Sequence, residues 1–290
     1  MYKEKPIHIR LLALADLSQL YYTFLEAFSD YSIDMSLGQK AFERRMLNKL
    51  SIEWPLSVGA FSGDKMVGFI VHTSNNYQNE RHAYNGGTGV IPEYRGLNLT
   101  EHMYGRAIRQ MQEQGIQKCV LEVIDTNSNA TKAYQKVGFQ KKRILRCYKL
   151  VRSIVAATNH TERYSVETLD TRGLEALPNL TIPSFMDTWA QLTRNSAHEK
   201  MLRIYDQDDT LKGYAIFQPD NGRIARLWVR DKDRRNGIGR SLLSTIAGKC
   251  PNKSLTVINV DENDQAAHQF LIACGFENQI NQWEMILEIH

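Results

Sequence analysis

Two six-residue stretches of this chain have the make-up of an anion cradle. Residues 234–239 read RRNGIG, and 139 positions earlier residues 95–100 read RGLNLT, with Asn98 and Thr100 standing where the second stretch has Gly237 and Gly239. A run of backbone N–H groups at the start of a helix, approached closely because glycine has no Cβ, can hold a pyrophosphate. The arginine at the head of each stretch, Arg95 or Arg234, would add a charge at the mouth. The second stretch is the better cradle. Asparagine is the non-glycine residue that best tolerates a left-handed backbone, and a threonine hydroxyl can itself donate to a phosphate oxygen, so the first is impaired rather than destroyed. Short Arg/Gly patterns also occur in turns that only cap helices, so the surrounding elements must decide.

A cradle needs a strand leading in and a helix leading out, and both halves of the chain supply them. In the first half IHIRLL alternates like a strand, and Asp16 is placed to cap a helix with Leu17, Leu20, Tyr21, Phe24, Leu25 and Phe28 on one face. A second helix is expected over 39–50, followed by a hairpin in which LSVGAF and KMVGFIVHT flank the turn SGDK. A strand near 84–91 then runs through PEYRGLN into a helix near 98–114, and KCVLEVI, a short helix at NATKAYQKV and two closing strands complete the set. The second half repeats the order: YSVETL, a helix at SFMDTWAQLT, the hairpin MLRIYDQDDTLKGYAIF, RIARLWV, the loop and helix RRNGIGRSLLSTIAG, SLTVINV, a helix over 264–273 and QWEMILEI. The expected class is α+β with mixed sheets: a domain over 1–152, a linker over 153–163 in the aperiodic ATNHTER stretch, and a domain over 164–290.

Composition narrows the function. The 290 residues suffice for two domains, and 42% hydrophobic with 23% charged residues is a soluble balance. No apolar run approaches the roughly 18 residues that span a bilayer, and MYKEKPIHIR lacks the apolar core of a secretion signal, so the expectation is a cytoplasmic protein with no membrane partner. Cys119, Cys147, Cys250 and Cys274 stand singly in apolar surroundings, which predicts buried free thiols and no metal. The acidic groups DQDD and DENDQ read as solvated turns or caps. A net charge of +4, with short basic clusters lacking interleaved aromatics, argues against nucleic acid as partner.

The run GTGVIPEYRGLNLTEHMYGRAI followed by LEVIDTNSNATKAYQKVGF resembles the Gcn5-related N-acetyltransferase (GNAT) family, and LWVRDKDRRNGIGRSLL followed by LTVINVDENDQAAHQFLIACGF is similar to the same two blocks. The resemblance implies a tandem arrangement of two GNAT-like domains. Each would be a twisted, mostly antiparallel sheet with splayed central parallel strands and helices on both faces. It also implies acetyl-CoA as cosubstrate and a primary amine of a small molecule or peptide as acceptor, in a monomer or homodimer.

The resemblance assigns roles by position. Pantetheine would lie along the strand edges at Val90 or Val229. Pyrophosphate would sit on Arg95, Gly96, Leu97, Asn98, Leu99 and Thr100, or on Arg234, Arg235, Asn236, Gly237, Ile238 and Gly239. Asn127 and Asn263, at the starts of the later helices, could steady the pantetheine arm and are equally good N-caps. Tyr134, in AYQKVGF, would be the general acid for the departing thiolate. The matching QFLIACGF offers Phe270 or Leu271, which have no proton to give, and His268 falls on another helix face. Glu122, His82 and Tyr84 are read as structural, and no base is assigned. The expected reaction is acetyl transfer by the first domain. The alternatives are an acyl-CoA-binding regulatory or scaffold protein with a dead domain, or catalysis in the second domain. The acceptor pocket is expected at residues 28–50 and 184–196.

Overall fold

The computed structural model describes residues 6–31, 35–77, 80–151, 182–251 and 253–290, together with the backbone of 163–168. The expected linker 153–163 lies outside the described residues apart from the backbone of Arg163. The chain forms two compact units, the first of residues 1–142 with 284–290 and the second of residues 143–283.

In the first unit β1 (Ile7–Leu11), β2 (Val58–Ser62), β3 (Lys65–Tyr77), β4 (Glu80–Val90) and β5 (Lys118–Ile124) lie side by side in that order, and residues 284–288 of β12 (Phe276–Glu288) follow β5. The β1–β2, β2–β3 and β3–β4 pairs are antiparallel, whereas β4 and β5 run parallel. Along β3 ten consecutive residues, Met66 to Asn75, are buried, so it is covered on both faces. The two covers are α1 (Leu17–Ala27) and α3 (Leu99–Glu113): Phe69 meets Phe24 of α1 at 6.3 Å between ring centroids, while a Cβ on the preceding Gly68 would lie 3.4 Å from Met103 of α3. Successive strand residues point to opposite faces, so the helices lie on opposite sides of the sheet.

Local details depart from the pattern at three places. Asp16 does not cap α1 with its side chain; its carboxylate accepts from Ala13 N–H at 2.8 Å and pairs with Arg10 at 2.7 Å, which closes a 3₁₀ turn over Leu14–Asp16 instead. The helix expected over 39–50 is α2 (Gln39–Arg44) continued by a π-helical turn over Arg45–Leu50. After α4 (Ser128–Val137) there is one strand rather than two, β6 (Gln140–Leu150).

The second unit repeats the plan with β7 (Arg163–Thr168), β8 (Lys200–Tyr205), β9 (Leu211–Gln218), β10 (Arg223–Val229) and β11 (Thr256–Asp261) in order, and β6 residues beside β11. Here too a single pair, β10–β11, is parallel. A Cβ on Gly213 would lie 3.1 Å from Ile238 of α6 (Ile238–Lys249), and the adjacent Tyr214 meets Trp189 of α5 (Trp189–Arg194) on the other face. The last helix is α7 (Gln265–Ala273).

Candidate active site

Each parallel pair is made only at its beginning. β4 and β5 pair at His82–Lys118, Ala83–Cys119 and Tyr84–Val120 and no further, although β4 continues to Val90 and β5 to Ile124. β10 and β11 pair only at Arg223–Thr256 and Ile224–Val257. Each leading strand carries a one-residue bulge just past the last pair, at Gly86 and at Ala225, and an extra residue of this kind bends the strand away from its neighbour. The result is a slot between splayed strands, with unpaired edges at Val90 and Val229 for an extended ligand arm.

The two loops at the mouths of the slots have one backbone. Gly96 and Asn98 have φ of +80° and +54°, and Arg235 and Gly237 have +65° and +85°, so the two left-handed positions recur and glycine fills a different one in each copy. Asn98 is tolerated in that conformation as its chemistry allows. Both helices that follow start without a side-chain cap, at Asn98 for α3 and Gly237 for α6. Their first N–H groups are therefore presented at the helix start, where an anion is stabilised. By contrast α4 and α7 are capped, Asn127 accepting from Ala130 N–H and Asp264 from Ala267 N–H.

The arginines bring less charge to the mouth than the sequence suggests. Arg95 Nε donates to Val90 O at 3.2 Å and its other nitrogens reach Asp30 at 2.6 and 2.8 Å. Arg234 Nε donates to Val229 O at 3.4 Å and pairs with Asp231 at 2.8 Å. Each guanidinium thus ties its loop back to the strand end and is neutralised by a carboxylate. Asn127 also donates to Tyr31 Oη at 3.3 Å.

Tyr134 lies where the strands part. It sits against Tyr104 and Phe139 at 6.4 and 5.8 Å between centroids, and its hydroxyl engages Thr88 with Asn85 alongside, both on β4 beyond the last parallel pair. Burial pushes its pKa up to about 12, so it holds its proton at neutral pH. Asn85 anchors a polar cluster here. Its Oδ1 accepts from Gly87 N–H at 2.8 Å, and its Nδ2 donates to Thr88 Oγ1 at 2.8 Å and to Tyr104 Oη at 2.5 Å.

His72, cross-strand partner of Asn85, is fully buried with Nδ1 2.8 Å from Leu56 O. A carbonyl only accepts, so Nδ1 carries a hydrogen; burial holds the pKa down to about 4, so the ring is neutral at pH 7. Between pH 6.5 and about 4 the unfolded chain takes up a proton that the folded unit refuses. Stability should fall by roughly 3 kcal/mol as pH drops through that window. His72→Phe should flatten this acid limb in urea midpoints measured from pH 7 to 4.5, and an unchanged limb would contradict the assignment.

The second unit gives every one of these positions to an apolar residue. An offset of 139 holds from the bulges through the loops to the starts of α3 and α6, which equates Asn85, Thr88 and Tyr104 with Ile224, Leu227 and Leu243. The bulge pairing equates His72 with Phe217. The caps Asn127 and Asp264, and the left-handed Gly138 and Gly275 that end the helices, equate Tyr134 with Leu271. Phe217, Ile224, Leu227, Leu243 and Leu271 all belong to one hydrophobic cluster. Of the two candidates read from QFLIACGF, Leu271 rather than Phe270 is thus the counterpart of Tyr134. Phe270 instead fills the space beside Gly239, where a Cβ would lie 2.8 Å from its ring. His268 is buried elsewhere, with Nδ1 2.8 Å from Tyr148 Oη.

That unit nevertheless encloses a cleft of about 890 Å³, lined by Val229, Arg234, Arg235, Gly237, Gly239 and Asp264 among others. Its lining also includes Arg226 and Trp228, which stand where the first unit has Gly87 and Gly89. Arg226 lies 4.2 Å over the Trp189 ring and donates to Asp187 O at 2.6 Å.

Other expectations need correction or placement. Asn263 is one residue early: Asp264 caps α7, and Asn263 donates to Asp261 at 2.9 Å through its backbone N–H. Asp264 can only accept when ionised, so it cannot repeat the donor role of Asn127. All four cysteines are free, Cys147 half-buried and the others buried. Asp206 accepts from the N–H groups of Asp208 and Thr210, which makes DQDD a closed turn. His82 is buried and its pKa is lowered by burial, with Glu80 3.3 Å away. Tyr84 donates to Glu122, two residues past the last β4–β5 pair, and the matching position on β11 is Ile258.

Comparison with known proteins places these features in context. The model of the acetyltransferase (GNAT) family matches residues 14–139, and that of an acetyltransferase (GNAT) domain matches residues 168–285. The chain is similar to the N-alpha-acetyltransferase MAK3 of Arabidopsis thaliana, 33% identical over 97 residues, covering 33% of this chain and 51% of that protein. It thus spans about half the length of that relative. In fold it is similar to a GCN5-related N-acetyltransferase from Sphaerobacter thermophilus, with TM-score 0.73, 16% identity and coverage of 99% of this chain and 97% of the other. It is also similar to a tandem GNAT protein from the clavulanic acid biosynthesis pathway, with TM-score 0.69, 14% identity and coverage of 98% and 99%.

Proposed function

Because the chain belongs to the GNAT acetyltransferase family, its two halves matched by models of that family, we propose that its first unit transfers an acetyl group from acetyl-CoA to a primary amine, with Tyr134 as the general acid. The observation that carries this reading is the pairing of Tyr134 with Asn85 and Thr88 at the splay of β4 and β5, against a leucine at the equivalent place in the second unit. The N–H groups of the 96–100 loop hold the pyrophosphate, with Arg95 keeping the loop in shape, and Asn127 has an amide hydrogen to offer the pantetheine arm. Acetyl-CoA supplies the activated acyl group. Tyr134 holds a proton at Oη for the sulfur, and Glu122, oriented by Tyr84, is the carboxylate at the parting of the strands that can relieve the incoming ammonium of its proton.

The second unit, in this reading, binds acetyl-CoA without turning it over. Its cleft and uncapped α6 support binding, while Leu271, Ile258 and the Arg226–Trp189 stack remove acid, carboxylate and acceptor space. The free cysteines accord with a reducing, cytoplasmic setting. Among the described residues no helix is long and apolar enough to cross a membrane. The similarity to an N-alpha-acetyltransferase makes peptides with free N-termini the first acceptors to test. The experiment is release of CoA from acetyl-CoA with a panel of such peptides, aminosugars and simple amines. Saturable, amine-dependent release is expected, and release no faster than with water alone would overturn the proposal.

A further inference from the structure

A cluster of buried polar groups is costly unless fully satisfied, and a fold that retains one where apolar residues would serve has some other use for it. The first unit retains Asn85, Thr88 and Tyr104 beside Tyr134. The second unit builds the same bulge, strand and helices with Ile224, Leu227, Leu243 and Leu271. The architecture therefore does not require the polar set.

Its hydrogen bonds have one direction. Gly87 N–H fixes the amide of Asn85 by donating to Oδ1 at 2.8 Å, which leaves Nδ2 facing the hydroxyls. Both Nδ2 hydrogens are then spent, on Thr88 Oγ1 at 2.8 Å and on Tyr104 Oη at 2.5 Å. Those two oxygens accept from Asn85, so their own hydrogens must go to another oxygen. Tyr104 Oη also engages Thr88 and can donate to its Oγ1, which leaves the Thr88 hydrogen for Tyr134 Oη. Asn85 is 6% exposed and Tyr104 fully buried, so water does not compete for these bonds.

We propose that Asn85 is a positioning residue for acetyl transfer, which acts through Thr88, with Tyr104 holding the cluster in register, to aim a hydrogen-bond donor at Tyr134 Oη. This rests on Tyr134 being the acid. As the carbon–sulfur bond breaks, its electron pair stays on sulfur and sulfur takes the phenolic proton. The charge left on Tyr134 Oη is held by the aimed Thr88 donor until solvent returns a proton. The donor matters most when that charge appears, so it stabilises the transition state more than the resting enzyme.

The test uses the full chain, acetyl-CoA and the fastest amine of the panel. Asn85→Asp keeps the shape and the acceptor for Gly87 N–H but replaces both donors by an acceptor, which turns the neighbouring hydroxyls away from Tyr134. It should lower kcat about 10-fold or more while KM for acetyl-CoA stays within about twofold. Thr88→Val, which removes the aimed donor at nearly constant volume, should lower kcat in the same sense, and it serves if Asn85→Asp does not fold. In a Tyr134→Phe background neither change should lower the rate further, because the group they serve is gone. If Tyr134→Phe reduces kcat but the Asn85 and Thr88 variants either leave kcat unchanged or reduce it equally in both backgrounds, the positioning role is refuted and the acid survives. If Tyr134→Phe is itself without effect, both fall together.

Discussion

Tyr134→Phe should lower kcat by roughly 10²-fold or somewhat more and leave acetyl-CoA binding intact. The substitution removes one hydroxyl and keeps the ring that packs on Tyr104 and Phe139, so the slot retains its shape. The loss is limited because a thiol leaves near a pKa of about 8.5 and can depart unaided at some cost. For the same reason the deficit should narrow as pH rises. The reverse change in the other unit, Leu271→Tyr, should create no second active site. Its new hydroxyl would be surrounded by Ile224, Leu227 and Leu243 with no donor or acceptor among their side chains, and burying it unsatisfied costs about 1–3 kcal/mol. Full activity in Tyr134→Phe, with activity abolished by Arg234→Ala, would move catalysis to the second unit.

Calorimetric titration of Gly237→Asp with acetyl-CoA should show one binding event fewer than the parent, or an affinity at that site weaker by about 10²-fold. An aspartate tolerates the left-handed backbone, and its carboxylate at the start of α6 would repel the phosphates and hold them off the helix N–H groups, although Asn98 shows that a side chain in this conformation does not itself cap the helix. Two charge-assisted hydrogen bonds lost at about 1.5 kcal/mol or more each account for the magnitude. Gly237 is the better target than Gly239, where a side chain would first collide with Phe270 and disturb the packing of α6 on α7. Unchanged stoichiometry and affinity would make this loop a relic.

Much of this was legible before any coordinates. The repeated loops follow from a short local pattern, because a left-handed turn into a helix start is local chemistry, whereas the splayed strands and the role of Tyr134 come only with the resemblance to the GNAT family. The cap at Asp264 was missed by one residue because two adjacent side chains, Asn263 and Asp264, have equal capping chemistry and only the path of the chain selects between them. Asp16 was misassigned because Arg10, six residues earlier, competes for its carboxylate. The Asn85–Thr88–Tyr104 cluster escaped notice for a different reason. Its members lie on two elements and look unremarkable singly, yet the offset of 139, applied from the loops back to the bulges, would have set each against an aliphatic residue. The signal lies in the comparison of the halves upstream of the loops, where polar residues of one copy face aliphatic residues of the other.

The last stretch of the chain, 284–290, lies beside β5 in the first unit, where Ile289 N–H donates to Gln117 O at 2.8 Å. During synthesis the proposed catalytic unit therefore cannot close its sheet when its own 142 residues have left the ribosome. It must wait, with one side of β5 bare, until the second unit has been translated as well. An open strand edge is a template for pairing with other chains, so the nascent half is most exposed to aggregation during that interval. Completion of the sheet is in this way tied to the arrival of the intact second unit, and a prematurely terminated chain would be left with that edge of β5 bare.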